Sequence, residues 1–284
     1  MKFAFSTIGC PKWDLQTVAA RAKEYGYDGV ELRGFLNESV LTAANVFLTE
    51  PGKVRQTFAD QGVAIACLGS AIAMTGKKKR DAQLAEEARA FVDRAAAIGT
   101  PLVRLSDTQA RIGHDRSDAA LALAQWLGPL ADYAAQREVT LVVENLLSFR
   151  TAKEMWMMLE AVNHPAVACC WDVFNASQVG ESPWVSVPLL NSKIQYVHVK
   201  DAKLGPLGAT FCKLGEGDVP VATLLTRLRG IGYEGWVTFE WDKAWLANIA
   251  EPEDVFPDAI TKLKEWTKPQ IEVKEKVIAT AGKH

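Results

Sequence analysis

Short apolar runs alternate with longer segments whose apolar residues recur three and four positions apart. Runs at Phe3–Ile8, Gly29–Leu32, Val63–Leu68, Leu102–Leu105, Thr140–Glu144, Val167–Asp172, Ile194–Val199 and Trp236–Trp241 predict strands. Helical spacing fills the intervals near 14–25, 51–61, 81–98, 117–137, 151–162, 183–191, 220–230 and 255–267. Glycine follows three of these helices, at Gly26, Gly99 and Gly232, each just before the next strand. Glycine supplies the left-handed residue on which a helix ends. The strands are mostly unbroken apolar runs, such as Val139-Thr140-Leu141-Val142-Val143, as expected where both faces of a sheet are covered. Eight strand–helix units in 284 residues predict a single (β/α)8 TIM barrel over residues 1–267, with the Lys-rich Lys268–His284 as a tail. A doubly wound open sheet is the rival architecture. It usually carries a glycine-rich first crossover, and Ser6-Thr7-Ile8-Gly9-Cys10-Pro11 has no GxGxxG.

Composition narrows the function classes. Hydrophobic residues make up 49% of the chain and charged residues 23%, enough for a large core. A net charge of −2 gives no long-range attraction to nucleic acid or to an anionic membrane. The five cysteines (Cys10, Cys67, Cys169, Cys170, Cys212) form no CxxC pair, which favours a reducing compartment. The N-terminal MKFAFSTIGCPKWD reads as a first strand and not as a leader, and no apolar run approaches the ~20 residues needed to span a bilayer. A soluble, cytoplasmic protein is expected. A homo-oligomer is compatible with the sequence, although no segment marks an interface.

Barrel active sites lie where strands finish. The last four predicted strands each carry a potential ligand there: Glu144, Asp172, His198 and Glu240. Each acid alone could be a helix N-cap or a loop ion-pair partner. Together, at the ends of neighbouring buried strands, they call for a positive charge to neutralise them. Three carboxylates and an imidazole without thiolate suit one divalent ion, Mn2+ first, with Mg2+ or Co2+ as alternatives. Four protein ligands on an octahedral ion leave two positions for adjacent substrate oxygens.

Several segments carry a resemblance: Gly29-Val30-Glu31-Leu32, Val143-Glu144-Asn145, Trp171-Asp172-Val173-Phe174-Asn175, His198-Val199-Lys200-Asp201, Gly215-Glu216-Gly217-Asp218-Val219-Pro220 and Phe239-Glu240-Trp241. Through them the chain resembles the sugar isomerase/epimerase superfamily with the xylose-isomerase-like TIM barrel, over nearly its whole length. The resemblance implies a metal that chelates a hydroxy-ketone, with Glu144 and Glu240 both ligating it and moving protons. The expected substrate is a ketose or related polyol ketone, reacting through a metal-stabilised enediolate. Return of the proton to the opposite face is epimerisation, and to the adjacent carbon isomerisation. Loss of a β-hydroxyl instead makes a lyase, such as an inosose or dehydroshikimate dehydratase, and that is the alternative reading. Two positions depart from the family pattern. Asn175 stands where many members carry histidine, and Lys200 and Lys203 stand where many carry arginine.

Around the ligands, Lys200, Asn175, Arg33, Arg104, Glu31 and Trp241 are the candidate substrate contacts. The competing readings are a Lys200–Asp201 strand-end pair, an Arg33–Glu31 pair, and core packing for Trp241, Trp245 and Trp13. Asp218 is expected to cap the helix that Pro220 opens. His114 reads as a loop histidine, His164 as a structural residue on the opposite face, and Lys77–Arg80 as a solvated helix start. DNA-repair chemistry on the same kind of barrel would need several metals and many histidines. The chain has four histidines and no basic face, so no nucleic-acid partner is expected. A non-catalytic sugar-binding barrel would not need both Glu144 and Glu240.

Overall fold

The computed structural model describes residues 1–33, 50–109 and 116–268. His114 and all of the tail beyond Lys268 lie outside the described residues. The strands are β1 (Lys2–Ser6), β2 (Gly29–Leu32), β3 (Ala64–Gly69), β4 (Leu102–Ser106), β5 (Thr140–Glu144), β6 (Val167–Asp172), β7 (Ile194–Val199), β8 (Asp201–Gly205), β9 (Gly208–Cys212) and β10 (Trp236–Phe239). All but β8 and β9 close into one parallel barrel, in the order β1-β10-β7-β6-β5-β4-β3-β2. The helices are α1 (Leu15–Tyr25), α2 (Pro51–Gln61), α3 (Lys78–Ile98), α4 (Arg116–Ala135), α5 (Ala152–Val162), α6 (Val173–Ser177), α7 (Pro183–Leu190), α8 (Val221–Gly230) and α9 (Pro252–Thr267). The expected (β/α)8 barrel is the observed fold.

Local chemistry explains the boundaries. Asp14 caps α1 by accepting the Thr17 N–H, and α1 ends on Gly26 at φ 82°. Thr151 and Glu154 form a reciprocal capping box at the start of α5. The first strand is shorter than its apolar run suggests: after Ser6 the chain tightens into a 3-10 turn, Thr7–Gly9. The last strand stops at Phe239, so Glu240 lies one residue past it.

One helix and one two-stranded hairpin were not anticipated. Asp172 caps a short helix, α6, by accepting the N–H groups of Phe174 and Asn175. β8 and β9 form an antiparallel hairpin, turning at Pro206-Leu207, that rises from the end of β7. Asp201 holds its base, accepting N–H bonds from Ala202, Gly215, Gly217 and Val219 at 2.8–3.1 Å. Asp218 accepts from Leu204 N–H on that hairpin instead of capping α8, whose N-terminus has no side-chain cap.

Two apolar regions follow from the alternation of strand residues. The larger lies between barrel and helices, and includes Phe5, Phe91, Phe149, Trp171 and Phe256. The smaller fills the barrel: Ala4, Ala66, Cys67, Leu102, Val142, Ala168, Cys170 and Tyr196. Val142, Cys170, Tyr196 and Thr238 each precede a predicted ligand by two residues. Period-two geometry therefore makes this inner layer the floor on which the ligands stand. Among the described residues, no helix is long and apolar enough to cross a membrane.

Candidate metal centre

Glu144 ends β5, Asp172 ends β6, His198 lies next to last on β7, and Glu240 follows β10. These strands are consecutive around the barrel, and the register pairs Asp172 with His198 and His198 with Thr238. Each of the four residues offers one ligand atom, and these atoms all lie within 4.8 Å of one another. All four side chains are buried. The imidazole Nδ1 faces the cluster, 3.0 Å from Glu144 Oε1 and 3.5 Å from Glu240 Oε1. The sequence had placed these four together, and the structure does so.

Three cations enclose the acids. Arg104, from β4, pairs with Glu144, and Arg33, just beyond β2, pairs with Glu240. Lys200 Nζ donates to Glu240 Oε2 at 2.9 Å and lies 3.6 Å from both Asp172 Oδ2 and Asp242 Oδ2. The competing reading of Lys200 as a strand-end partner of Asp201 does not hold, because Asp201 is committed to the hairpin backbone. Burial disfavours charge on Lys200, but Glu240, Asp242 and Asp172 outweigh it and hold the ammonium above its ordinary pKa. Burial likewise disfavours charge on Glu240. His198, Lys200 and Arg33 reverse that and keep the carboxyl well below the usual carboxylate range. Arg104 is brought down to about 10, first by burial and then by Arg33.

The donor set fits a divalent cation. Asp172 uses Oδ1 for two backbone N–H groups, while buried Oδ2 makes no hydrogen bond. No described residue hydrogen-bonds that oxygen, and Lys200 Nζ lies 3.6 Å away, so a bound cation would supply the close partner it lacks. The connected network holds five carboxylates (Glu31, Glu144, Asp172, Glu240, Asp242) against three fixed cations (Arg33, Arg104, Lys200). With a neutral imidazole, the balance lacks two positive charges. Cys170 could join Glu144 and His198 in a softer set, its Sγ lying 3.8 Å from Nδ1. Burial pushes that thiol up, and it lies one layer beneath the acids, two residues before Asp172 on β6.

The remaining candidates divide by position. Asn175 is buried in α6, and its amide Nδ2 has no hydrogen-bond partner among the described residues. Glu31 is fully buried, with Oε1 accepting from Ser6 Oγ and Oε2 lying 2.8 Å from His198 Nε2. It does not pair with Arg33. Trp241 is packed between Phe239 and Phe211 and donates to Ala250 O. Trp13 packs edge-on to Phe5 and Phe256, while Trp245 is half-exposed beneath the Arg33 guanidinium. His164 bonds Asp132 and the Ala166 N–H in the turn before β6, consistent with a structural role. Lys77–Arg80 are exposed at the start of α3.

Three contributors escaped the sequence reading. Asp242 joins Lys200, and its place two residues after Glu240 was the available signal. Asn145 clamps the Asp172 backbone, donating to its carbonyl at 3.0 Å and accepting its N–H at 2.7 Å. Phe211, on the unforeseen hairpin, packs on Phe174 beside Lys200.

Fold and site together define a metal-competent barrel, and the chain belongs to the xylose isomerase-like TIM barrel family, whose sequence model matches residues 19–266. No curated protein sequence gives a significant match. Among solved structures, the chain is similar to the IOLI protein with a bound zinc atom (TM-score 0.78, 17% identity, covering 94% of this chain and 98% of that one). It is also similar to D-allulose 3-epimerase from Methylomonas sp. (TM-score 0.73, 18% identity, 93% and 96% covered). A third similar structure is the probable 3-DHS dehydratase AsbF from Bacillus anthracis (TM-score 0.74, 17% identity, 93% and 99% covered). At these identities the likeness speaks for the fold alone.

Proposed function

We propose that the protein is a divalent-metal-dependent isomerase or epimerase of a ketose or related polyol ketone. Glu144, Asp172, His198 and Glu240 hold the ion, Mn2+ being the one we assign from the oxygen-rich donor set. When bound, the ion polarises a substrate carbonyl and stabilises the negative charge that develops as the neighbouring carbon loses its proton. The observation that carries the reading is the placement of the two glutamates at opposite ends of a four-strand arc, each backed by its own arginine. Arg33 and Lys200 keep Glu240 ionised, the form a general base needs. Glu240 would keep the proton it removes and pass it to solvent, while Glu144, protonated from solvent, would deliver a different proton to the opposite face of the same carbon or to the adjacent carbon, or the two exchange roles. Lys200 and the free Asn175 Nδ2 are placed to meet substrate oxygens. Phe174, Phe211 and Trp241 give the site an apolar side that excludes water. All five cysteines are free, in keeping with a cytoplasmic enzyme.

The same proton removal followed by loss of a β-hydroxyl would make the protein a dehydratase, and the test separates the two. Mn2+-loaded protein is incubated with a panel of ketoses and cyclitol ketones, and products are followed by chromatography and ultraviolet absorbance. We expect a stereoisomer or positional isomer of unchanged mass. A product 18 mass units lighter, absorbing as an enone, would shift the assignment to the lyase. No turnover across the panel would overturn both.

A further inference from the structure

We propose that Glu31 is a positioning residue for His198, fixing the ring so that Nδ1 is the nitrogen offered to the metal; this rests on the metal reading above. The observations form a chain across the barrel. Ser6 and Glu31 are register partners on β1 and β2. Ser6 Oγ donates to Glu31 Oε1 at 2.9 Å, leaving Oε2 aimed at His198 Nε2, 2.8 Å away. The opposite ring nitrogen, Nδ1, is the one among the acids. None of Ser6, Glu31 and His198 is exposed. Both Glu31 oxygens are therefore committed to protein partners, and Glu31 is fully buried and is not one of the four residues whose ligand atoms cluster within 4.8 Å. A carboxylate behind a ligating histidine fixes its tautomer and orientation and makes the ligand more basic. A serine–histidine–acid nucleophile is excluded by the order of the chain, since the hydroxyl meets the carboxylate and not the ring.

Two measurements on the full chain test this. Mn2+ affinity is read from the free-ion signal in electron paramagnetic resonance titrations of wild type, Glu31→Gln and Glu31→Leu. We expect Glu31→Leu to weaken Mn2+ binding by about 10–100-fold. Glu31→Gln, which keeps an acceptor for Nε2–H, recovers part of the loss and guards against a folding artefact in the leucine variant. Independently, 15N-histidine NMR of the Zn2+-loaded wild type is expected to show His198 ligating through Nδ1 with the proton on Nε2. Unchanged Mn2+ affinity in Glu31→Leu, or ligation through Nε2, overturns the proposal and leaves the metal reading standing. Failure of wild type to bind either ion overturns both.

Discussion

Replacing Asp172 by Asn separates the ion from the fold. The amide oxygen can occupy the place of Oδ1 and keep the Phe174 and Asn175 N–H bonds, at 2.7 and 3.1 Å. The amide nitrogen then replaces Oδ2, the buried oxygen without a hydrogen bond. The substitution also removes a carboxylate 3.6 Å from buried Lys200, so the metal-free variant should lie about 1–3 kcal/mol below metal-free wild type, and each protein's Mn2+ shift is read against its own metal-free Tm. Addition of Mn2+ at 100 times its dissociation constant stabilises wild type by about 2.7 kcal/mol. At about 2–4 °C per kcal/mol, Tm rises by about 5–10 °C. If loss of the anionic ligand weakens binding about 100-fold, the same Mn2+ concentration gives the variant only about 0.4 kcal/mol, or roughly 1–2 °C. Differential scanning calorimetry of chelator-treated protein, with and without Mn2+, reads these shifts. An equal rise in both proteins, or none in wild type, would refute the assignment of Asp172 as a ligand.

Two further outcomes follow from the same geometry. A Cβ at residue 217 would lie 2.6 Å from Ala202 O and collide with the Asp201 carboxylate. Gly217→Ala should therefore cost roughly 2–4 kcal/mol in urea unfolding, through loss of charge-assisted bonds at the hairpin base, and an unchanged midpoint would contradict that role. Burial disfavours charge on His198, yet the neighbouring Cys170 sulfur, Glu240 and Glu31 outweigh it and raise its pKa well above the ordinary value. The ring's contribution to metal-free stability is thus complete below its unfolded pKa and is lost as pH rises through the folded one. Ion binding must displace that proton, so affinity should increase with pH and about one proton should be released near neutrality, visible as a buffer-dependent calorimetric enthalpy. Binding without proton release would contradict it.

The barrel and the cluster of Glu144, Asp172, His198 and Glu240 were legible because both are written locally. Each strand is a contiguous apolar run, and each ligand sits at or beside the end of its own run, so alternation alone sets which residues share a layer. What escaped depends on partners distant in sequence. Glu31 read as a mouth residue, yet its partner His198 is 167 positions away across the barrel. For Lys200 the sequence left a substrate contact and a pair with Asp201 side by side; hairpin backbone claims the Asp201 carboxylate, and the lysine turns to Glu240 and Asp242. The hairpin itself had a signal in Gly205-Pro206-Leu207-Gly208, a tight turn between short flanks. Its strands are too brief and polar to show alternation. Asp218 looked like a helix cap because it precedes Pro220, but Leu204 N–H on that hairpin takes its carboxylate first.

In the proposed reaction, Glu144 and Glu240 move protons to and from carbon beside a carbonyl, at an ion held by Glu144, Asp172, His198 and Glu240. Deuterium exchange into a turned-over ketose, followed by NMR in D2O, tests it most directly when wild type is compared with Glu144→Gln and Glu240→Gln, all Mn2+-loaded. Wild type should incorporate solvent deuterium at that carbon. Each variant should lose about 100- to 10,000-fold in exchange rate while still binding the ion. Exchange at the wild-type rate in either variant, or turnover by wild type with no deuterium uptake under single-turnover and multiple-turnover conditions alike, would contradict it.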